Sequence, residues 1–199
     1  SLHRLERTLR AHGYEVLNPG YPSTAATIEQ HAERLHAALE QRLAHQPVDA
    51  IAFVGHSMGG LVVQQYLRGA ALREPFACVY LATPHRGAVL ADLRKHWFGF
   101  RLVMGDLAAK QLSPGDPLHR QPIPFRERSG AIVGDRGAGN RSIPGDDDHT
   151  VAVAEAVLDG AADVVVLPVG HTTVTIDDRA LRQVLHFLRH GGFDHRPPR

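Results

Sequence analysis

The sequence predicts an α/β fold: a mostly parallel sheet with helices on both faces. Three observations predict it. Short apolar runs of strand type alternate with amphipathic helical patterns along nearly the whole chain. The runs are continuously apolar, as in strands covered on both faces, instead of alternating with polar residues. And the side chains best suited to chemistry fall just past the carboxyl ends of those runs, where open parallel sheets place their sites.

The elements follow in order. Leu2, Leu5 and Leu9 share one helical face, and Gly13 is the stop. The chain opens on this core-facing helix at Ser1, so a preceding segment, with any targeting signal it carried, is expected to be missing from the sequence. Tyr14-Glu15-Val16-Leu17 reads as a short strand that ends at Asn18-Pro19-Gly20-Tyr21-Pro22. Ile28, Ala32, Leu35, Leu39 and Leu43 recur at helical spacing. Asp49 to Val54 is the second strand and Leu61 to Arg73 the helix after it. Ala77 to Ala82 is the third strand. Ala131 to Val133, between Gly130 and Gly134, is the fourth, and Asp163 to Val169 the fifth. Asp178 starts a last helix with Leu181, Val184, Leu185 and Leu188 inside, and Gly191-Gly192 stops it. Residues 1–193 make one domain and 194–199 a disordered tail.

The segment from Ala88 to Arg128 breaks the rhythm. It carries Trp97, Phe98, Phe100, Leu102, Val103 and Met104, then prolines at 114, 117, 122 and 124. It is too long for an ordinary connection. It reads as a small cap over an apolar pocket or as an excursion packing its aromatics on the core.

Composition narrows the function. With 199 residues, 43% of them hydrophobic, the chain can bury a core of its own. Lys plus Arg is 22 and Asp plus Glu is 21, with no basic block, which argues against a nucleic-acid partner. No apolar stretch approaches the ~18 residues of a membrane span. The single cysteine, Cys78, excludes an internal disulfide and lies in an apolar run, as a buried thiol does. It demands no oxidising compartment, so the cytoplasm is the default.

The most informative stretch is Ala50-Ile51-Ala52-Phe53-Val54-Gly55-His56-Ser57-Met58-Gly59-Gly60-Leu61. A strand-type run feeds Gly-x-Ser-x-Gly and a helical segment follows, the context of a nucleophile elbow. The sharp turn leaves Ser57 exposed on strained backbone, and Gly55 and Gly59 keep side chains out of it. A serine hydroxyl needs a base to take its proton, and the base needs a carboxylate to orient it. The order Ser, acid, His belongs to this kind of elbow. Among 14 histidines, His171 stands just past the end of the last strand. For the acid, Asp148 comes first, in the loop after the fourth strand, ahead of Asp147 beside it and of Asp135 at the strand's end. Asp146 to Asp148 lack the ligand spacing of a calcium loop.

These pieces resemble the lipase-like, serine-esterase branch of the α/β-hydrolase superfamily. The matching parts are Gly55-His56-Ser57-Met58-Gly59-Gly60, Leu81-Ala82-Thr83-Pro84-His85-Arg86-Gly87, Asp148-His149-Thr150-Val151 and Gly170-His171-Thr172. The resemblance covers nearly the whole chain. It implies a supporting role for His56, and His149 stands where the family has glycine. In that family a strand ending in His-Gly precedes the first helix found here, and its loop supplies one oxyanion-hole N–H. This sequence has no such pair after a strand; His12-Gly13 ends a helix. The resemblance therefore implies an α/β-hydrolase fold lacking its N-terminal strands, with half an oxyanion hole.

The function this implies is a serine hydrolase of carboxylic esters, lipids included. Ser57 is the nucleophile, His171 the base, Asp148 the orienting acid, and the Met58 N–H the oxyanion donor. No metal and no organic cofactor is called for; the partner is a small ester or lipid. Alternatives are an acyltransferase that passes the same acyl group to an alcohol, and a hydrolase-like binding protein without activity.

Overall fold

The computed structural model describes residues 2–20, 26–69, 73–94, 110–137, 142–143 and 145–196. Four parallel strands, β1 (Ala52–His56), β2 (Ala77–Leu81), β3 (Ser129–Gly134) and β4 (Asp163–Leu167), lie side by side in chain order. Val54 faces Val79, Tyr80 faces Ala131 and Ile132 faces Val165 across the ladders. Among the described residues the α-helices are α1 (His3–Ala11), α2 (Ile28–His45), α3 (Met58–Gly69), α4 (Val89–Arg94), α5 (Val153–Ala156) and α6 (Asp178–His190).

The period-two geometry of a strand divides the core in two. Cys78 and Tyr80 of β2 point to one face, where Phe53, Leu61, Val62 and Tyr66 meet Ile28 and Leu39 of α2. Ala77, Val79 and Leu81 point to the other, against Leu5 and Leu9 of α1 and Val184, Phe187 and Leu188 of α6. Burial pushes the Cys78 thiol up to about 12, so it is an unreactive core group.

Helix ends obey their capping residues. Thr27 and Gln30 exchange side chain and backbone bonds of 3.2 and 3.0 Å at the start of α2. Asp177 accepts from the Arg179 N–H at 2.8 Å at the start of α6, and Gly191, at φ 74°, ends that helix in the left-handed region. Each such cap contributes about 1 kcal/mol.

One predicted strand is absent. Tyr14 to Leu17 pairs with no strand; it is tied instead to the helices beside it. The Tyr14 N–H donates to Leu9 O, Arg10 reaches Val16 O at 2.6 Å, and Arg42 reaches the Glu15 carboxylate. The reason lies in β1. The Phe76 N–H donates to Ile51 O, and the Ser57 N–H to Leu81 O, on the β2 side. By alternation Ala52, Val54 and His56 turn their N–H and C=O groups to the opposite edge, where no described strand pairs with them. A groove of about 760 Å³ lies there, lined by Leu5, Leu9, Val16, Leu39, Phe53 and Val62 and reaching Ser57 and Met58. Tyr14 to Leu17 lines the same groove and is in no described strand pairing.

Two other expectations meet the structure only in part. Of the segment 88–128, α4 and single-turn helices at Pro117–Arg120 and Arg126–Arg128 are described. Trp97, Phe98, Phe100, Leu102, Val103 and Met104 lie outside the described residues. Of the segment expected as a tail, Asp194 to Arg196 is held: the Asp194 N–H donates to Gln183 Oε1 at 2.8 Å, and the His195 ring meets the Asp163 carboxylate at 2.9 Å. Residues 197–199 lie outside the described residues.

Candidate active site

β1 ends at His56, α3 begins at Met58, and Ser57 alone makes the turn between them with φ 53°. A non-glycine residue in this region costs roughly 1–2 kcal/mol, held here by surrounding bonds. The Ser57 N–H donates to Leu81 O at 2.9 Å, and Ser57 O accepts from the Gly60 N–H at 3.0 Å. The turn is tight because backbone touches backbone. A Cβ on Gly55 would lie 2.6 Å from Gly60 Cα, and one on Gly60 would lie 2.1 Å from Thr83 Oγ1. The partner of Gly55 in this approach is Gly60. The Met58 N–H, in the first turn of α3, has no carbonyl within the helix to bond.

His171 follows β4 in a loop closed by Thr173, whose Oγ1 accepts from the Gly170 N–H at 2.9 Å. Asp148 sits in the loop after β3, where its N–H donates to Val151 O at 3.1 Å. The fold brings the three together. Ser57 Oγ lies 2.9 Å from His171 Nε2, and His171 Nδ1 lies 2.8 Å from Asp148 Oδ2. The carboxylate can only accept, so Nδ1 carries the proton and Nε2 is free to accept from the serine hydroxyl. Asp148 Oδ1 takes the Thr150 and Val151 N–H groups at 3.0 and 2.7 Å, and Asp148 O takes the His171 N–H at 2.9 Å. With its side chain 2% exposed, Asp148 is a fully partnered buried carboxylate.

The other two acid candidates are not brought in. Asp147 is buried, but its Oδ1 accepts from the His149 N–H, an interaction within its own loop. Asp135 is exposed at the end of β3. His56 joins the site from below: its Nε2 donates to His171 O at 2.8 Å, and its ring lies 5.1 Å from that of His171, centre to centre. Burial, with His171 beside it, lowers His56 to about 4, so it is neutral near pH 7.

Glu155 was not singled out in the sequence. Its carboxylate accepts from the Val89 N–H at 2.7 Å and the Ala152 N–H at 2.8 Å, joining the turn after β2 to the loop that carries Asp148. The signal was a lone acid in the apolar run Val153-Ala154-Glu155-Ala156-Val157. In the Thr83 to Gly87 turn, His85 is buried against Gln64 of α3, its Nδ1 2.7 Å from Gln64 Nε2, and burial lowers it to about 3.

Comparison with known proteins bears on the fold and the family. The profile of a family described as "Putative serine esterase (DUF676)" matches residues 18–111, a little under half the chain. No curated protein sequence matches. Among solved structures, the chain is similar to the Bacillus licheniformis lipase BlEst2 in mature form, with TM-score 0.74 and 18% identity over 94% of this chain and 83% of that one. It is also similar to the Legionella pneumophila phospholipase PlaB, at TM-score 0.62 and 18% identity, over 78% of this chain and 41% of that one. A metagenomic carboxyl esterase follows at TM-score 0.57 and 20% identity, over 85% of this chain and 58% of that one. The chain thus spans most of the lipase but less than half of the phospholipase. It has the α/β-hydrolase fold, and the solved structures it is similar to in fold include a lipase, a phospholipase and a carboxyl esterase.

Proposed function

We propose that this chain is a serine hydrolase that cleaves carboxylic esters, lipid esters included, through an acyl-enzyme on Ser57. The observation that carries the reading is the unbroken line of Ser57 Oγ, His171 Nε2 and Nδ1, and Asp148 Oδ2, at 2.9 and 2.8 Å. The serine-esterase profile and the lipase and esterase likenesses support it. Ser57 Oγ attacks the ester carbonyl carbon as its proton passes to His171 Nε2. The oxyanion meets the Met58 N–H. The ester C–O bond breaks, and His171 returns the proton to the departing alcohol. Water then attacks the acyl group, His171 takes and returns a proton again, and the carboxylic acid leaves. Asp148 keeps Nδ1 protonated and steadies the imidazolium. None of these steps uses a metal or organic cofactor.

In this reading the Met58 N–H is the oxyanion donor that the described residues offer beside Ser57. One oxyanion donor is worth about 10²–10³ in rate in the subtilisin case, so the Met58 N–H carries a large share of the proposed stabilisation. The test is covalent labelling of Ser57 by a fluorophosphonate, alongside hydrolysis of a short p-nitrophenyl ester. Ser57→Ala is expected to lose both while unfolding at the parent temperature. Hydrolysis at the parent rate in that variant would remove Ser57 from the mechanism. Transfer of the acyl group to added alcohols in preference to water would make the chain an acyltransferase.

A further inference from the structure

The proposed reaction depends on where His171 stands, and His171 sits in a loop. We propose that His56 is a positioning residue for His171, acting through the bond from its ring Nε2–H to the His171 carbonyl. This rests on the reading of Ser57 and His171 given above.

The two residues are 115 positions apart, and His56 Nε2 lies 2.8 Å from His171 O. A backbone carbonyl can only accept, so His56 Nε2 is the donor. His56 is the last residue of β1 and the immediate neighbour of Ser57. One side chain therefore ties the strand that delivers the hydroxyl to the loop that delivers the base. The peptide before His171 is already fixed, because its N–H donates to Asp148 O at 2.9 Å. The peptide after it is fixed by His56. With both secured, the imidazole holds its place between Asp148 and Ser57 before any substrate arrives. The tilted ring contact at 5.1 Å adds a steric wall on the same side.

Without the donor, the side-chain bonds of His171 remain, but the carbonyl side of the loop is released. Displacing a reacting group by about 1 Å costs on the order of 10²-fold in rate. A ring that only filled space would be replaced without loss by an apolar side chain of similar size.

The test compares His56→Leu, which keeps bulk and removes the donor, with His56→Gln, whose amide N–H can reach the place of the ring Nε2–H. The readouts are kcat and KM on a p-nitrophenyl ester, the fluorophosphonate labelling rate, and Tm. The Leu variant is expected to lose about 10- to 100-fold in kcat and labelling, with KM within about twofold. The Gln variant is expected to recover most of that loss. If the Leu variant does not fold, His56→Met takes its place. A donor-free variant within threefold of the parent overturns the proposal. So does equal loss in the Leu and Gln variants, or a loss that appears in KM or follows Tm. A parent chain that fails to label at Ser57 overturns the underlying reading, and this one with it.

Discussion

Replacing Asp148 by Asn tests the site through proton bookkeeping alone, since the side chain keeps its shape. In the parent, Asp148 Oδ1 accepts from two backbone N–H groups at 3.0 and 2.7 Å, and Oδ2 accepts from His171 Nδ1 at 2.8 Å. An amide has one oxygen and one NH2. If its oxygen stays on the Thr150 and Val151 N–H groups, its NH2 faces His171 Nδ1. The ring must then leave Nδ1 bare and carry its proton on Nε2. Nε2 would donate to Ser57 Oγ at 2.9 Å and could not take the serine proton. The flipped amide is worse, because NH2 would confront two N–H donors in a buried place. The same tautomer change in a serine-protease triad costs about 10⁴ in kcat, roughly 5.5 kcal/mol of barrier. Folding should suffer less, about 1–3 kcal/mol, as charged acceptors become neutral ones. The assay is ester turnover and fluorophosphonate labelling of Asp148→Asn and Asp135→Asn, with denaturant unfolding of both. Asp135 is exposed, so its variant should match the parent. Turnover of Asp148→Asn within tenfold of the parent, or a larger loss in Asp135→Asn, would refute the reasoning.

Further outcomes follow from particular backbone and burial features. His149 holds φ 81°; His149→Gly removes strain of about 1–2 kcal/mol against glycine's entropy of about 0.5–1, so Tm should rise by one to three degrees, and a fall would show the histidine's own contacts dominating. His85 is lowered to about 3 by burial, then by His119 and Arg86; the unfolded chain binds this proton below its ordinary 6.5 and the folded chain does not. Stability is therefore full above that pH and declines as pH falls towards 3, by about 1.4 kcal/mol per unit from this group. His85→Gln should flatten the decline measured by urea unfolding between pH 7 and pH 4; an unchanged slope would contradict it. A strand added by an N-terminal extension to the edge of β1 that no described strand pairs with should raise both Tm and ester turnover. Gains in neither would show that the groove is not a strand's place.

The sequence by itself determined the elements whose pattern is local and whose partners are guaranteed. Leu5 and Leu9, the spaced leucines of α2, and the buried runs of β2 and β3 carry their periodicity in the chain. Ser57 was legible because the strand, the tight turn and the helix around it are consecutive, and turn strain is a local property. His171 was legible from its place after a strand. Asp148 came before Asp147 and Asp135 by order and context; that its carboxylate is the one against the His171 ring is visible only in the tertiary structure. Which of three nearby carboxylates meets a ring 23 residues away depends on how the loop folds back through the Val151 and Asp148 bonds. Tertiary structure alone revealed the His56 bond to His171 O and the Glu155 clamp, since neither joins neighbours in sequence. It also decided against a strand at Tyr14 to Leu17. A strand is defined by the edge it pairs with; the run has the right composition, but it bonds to the helices beside it and pairs with no described strand.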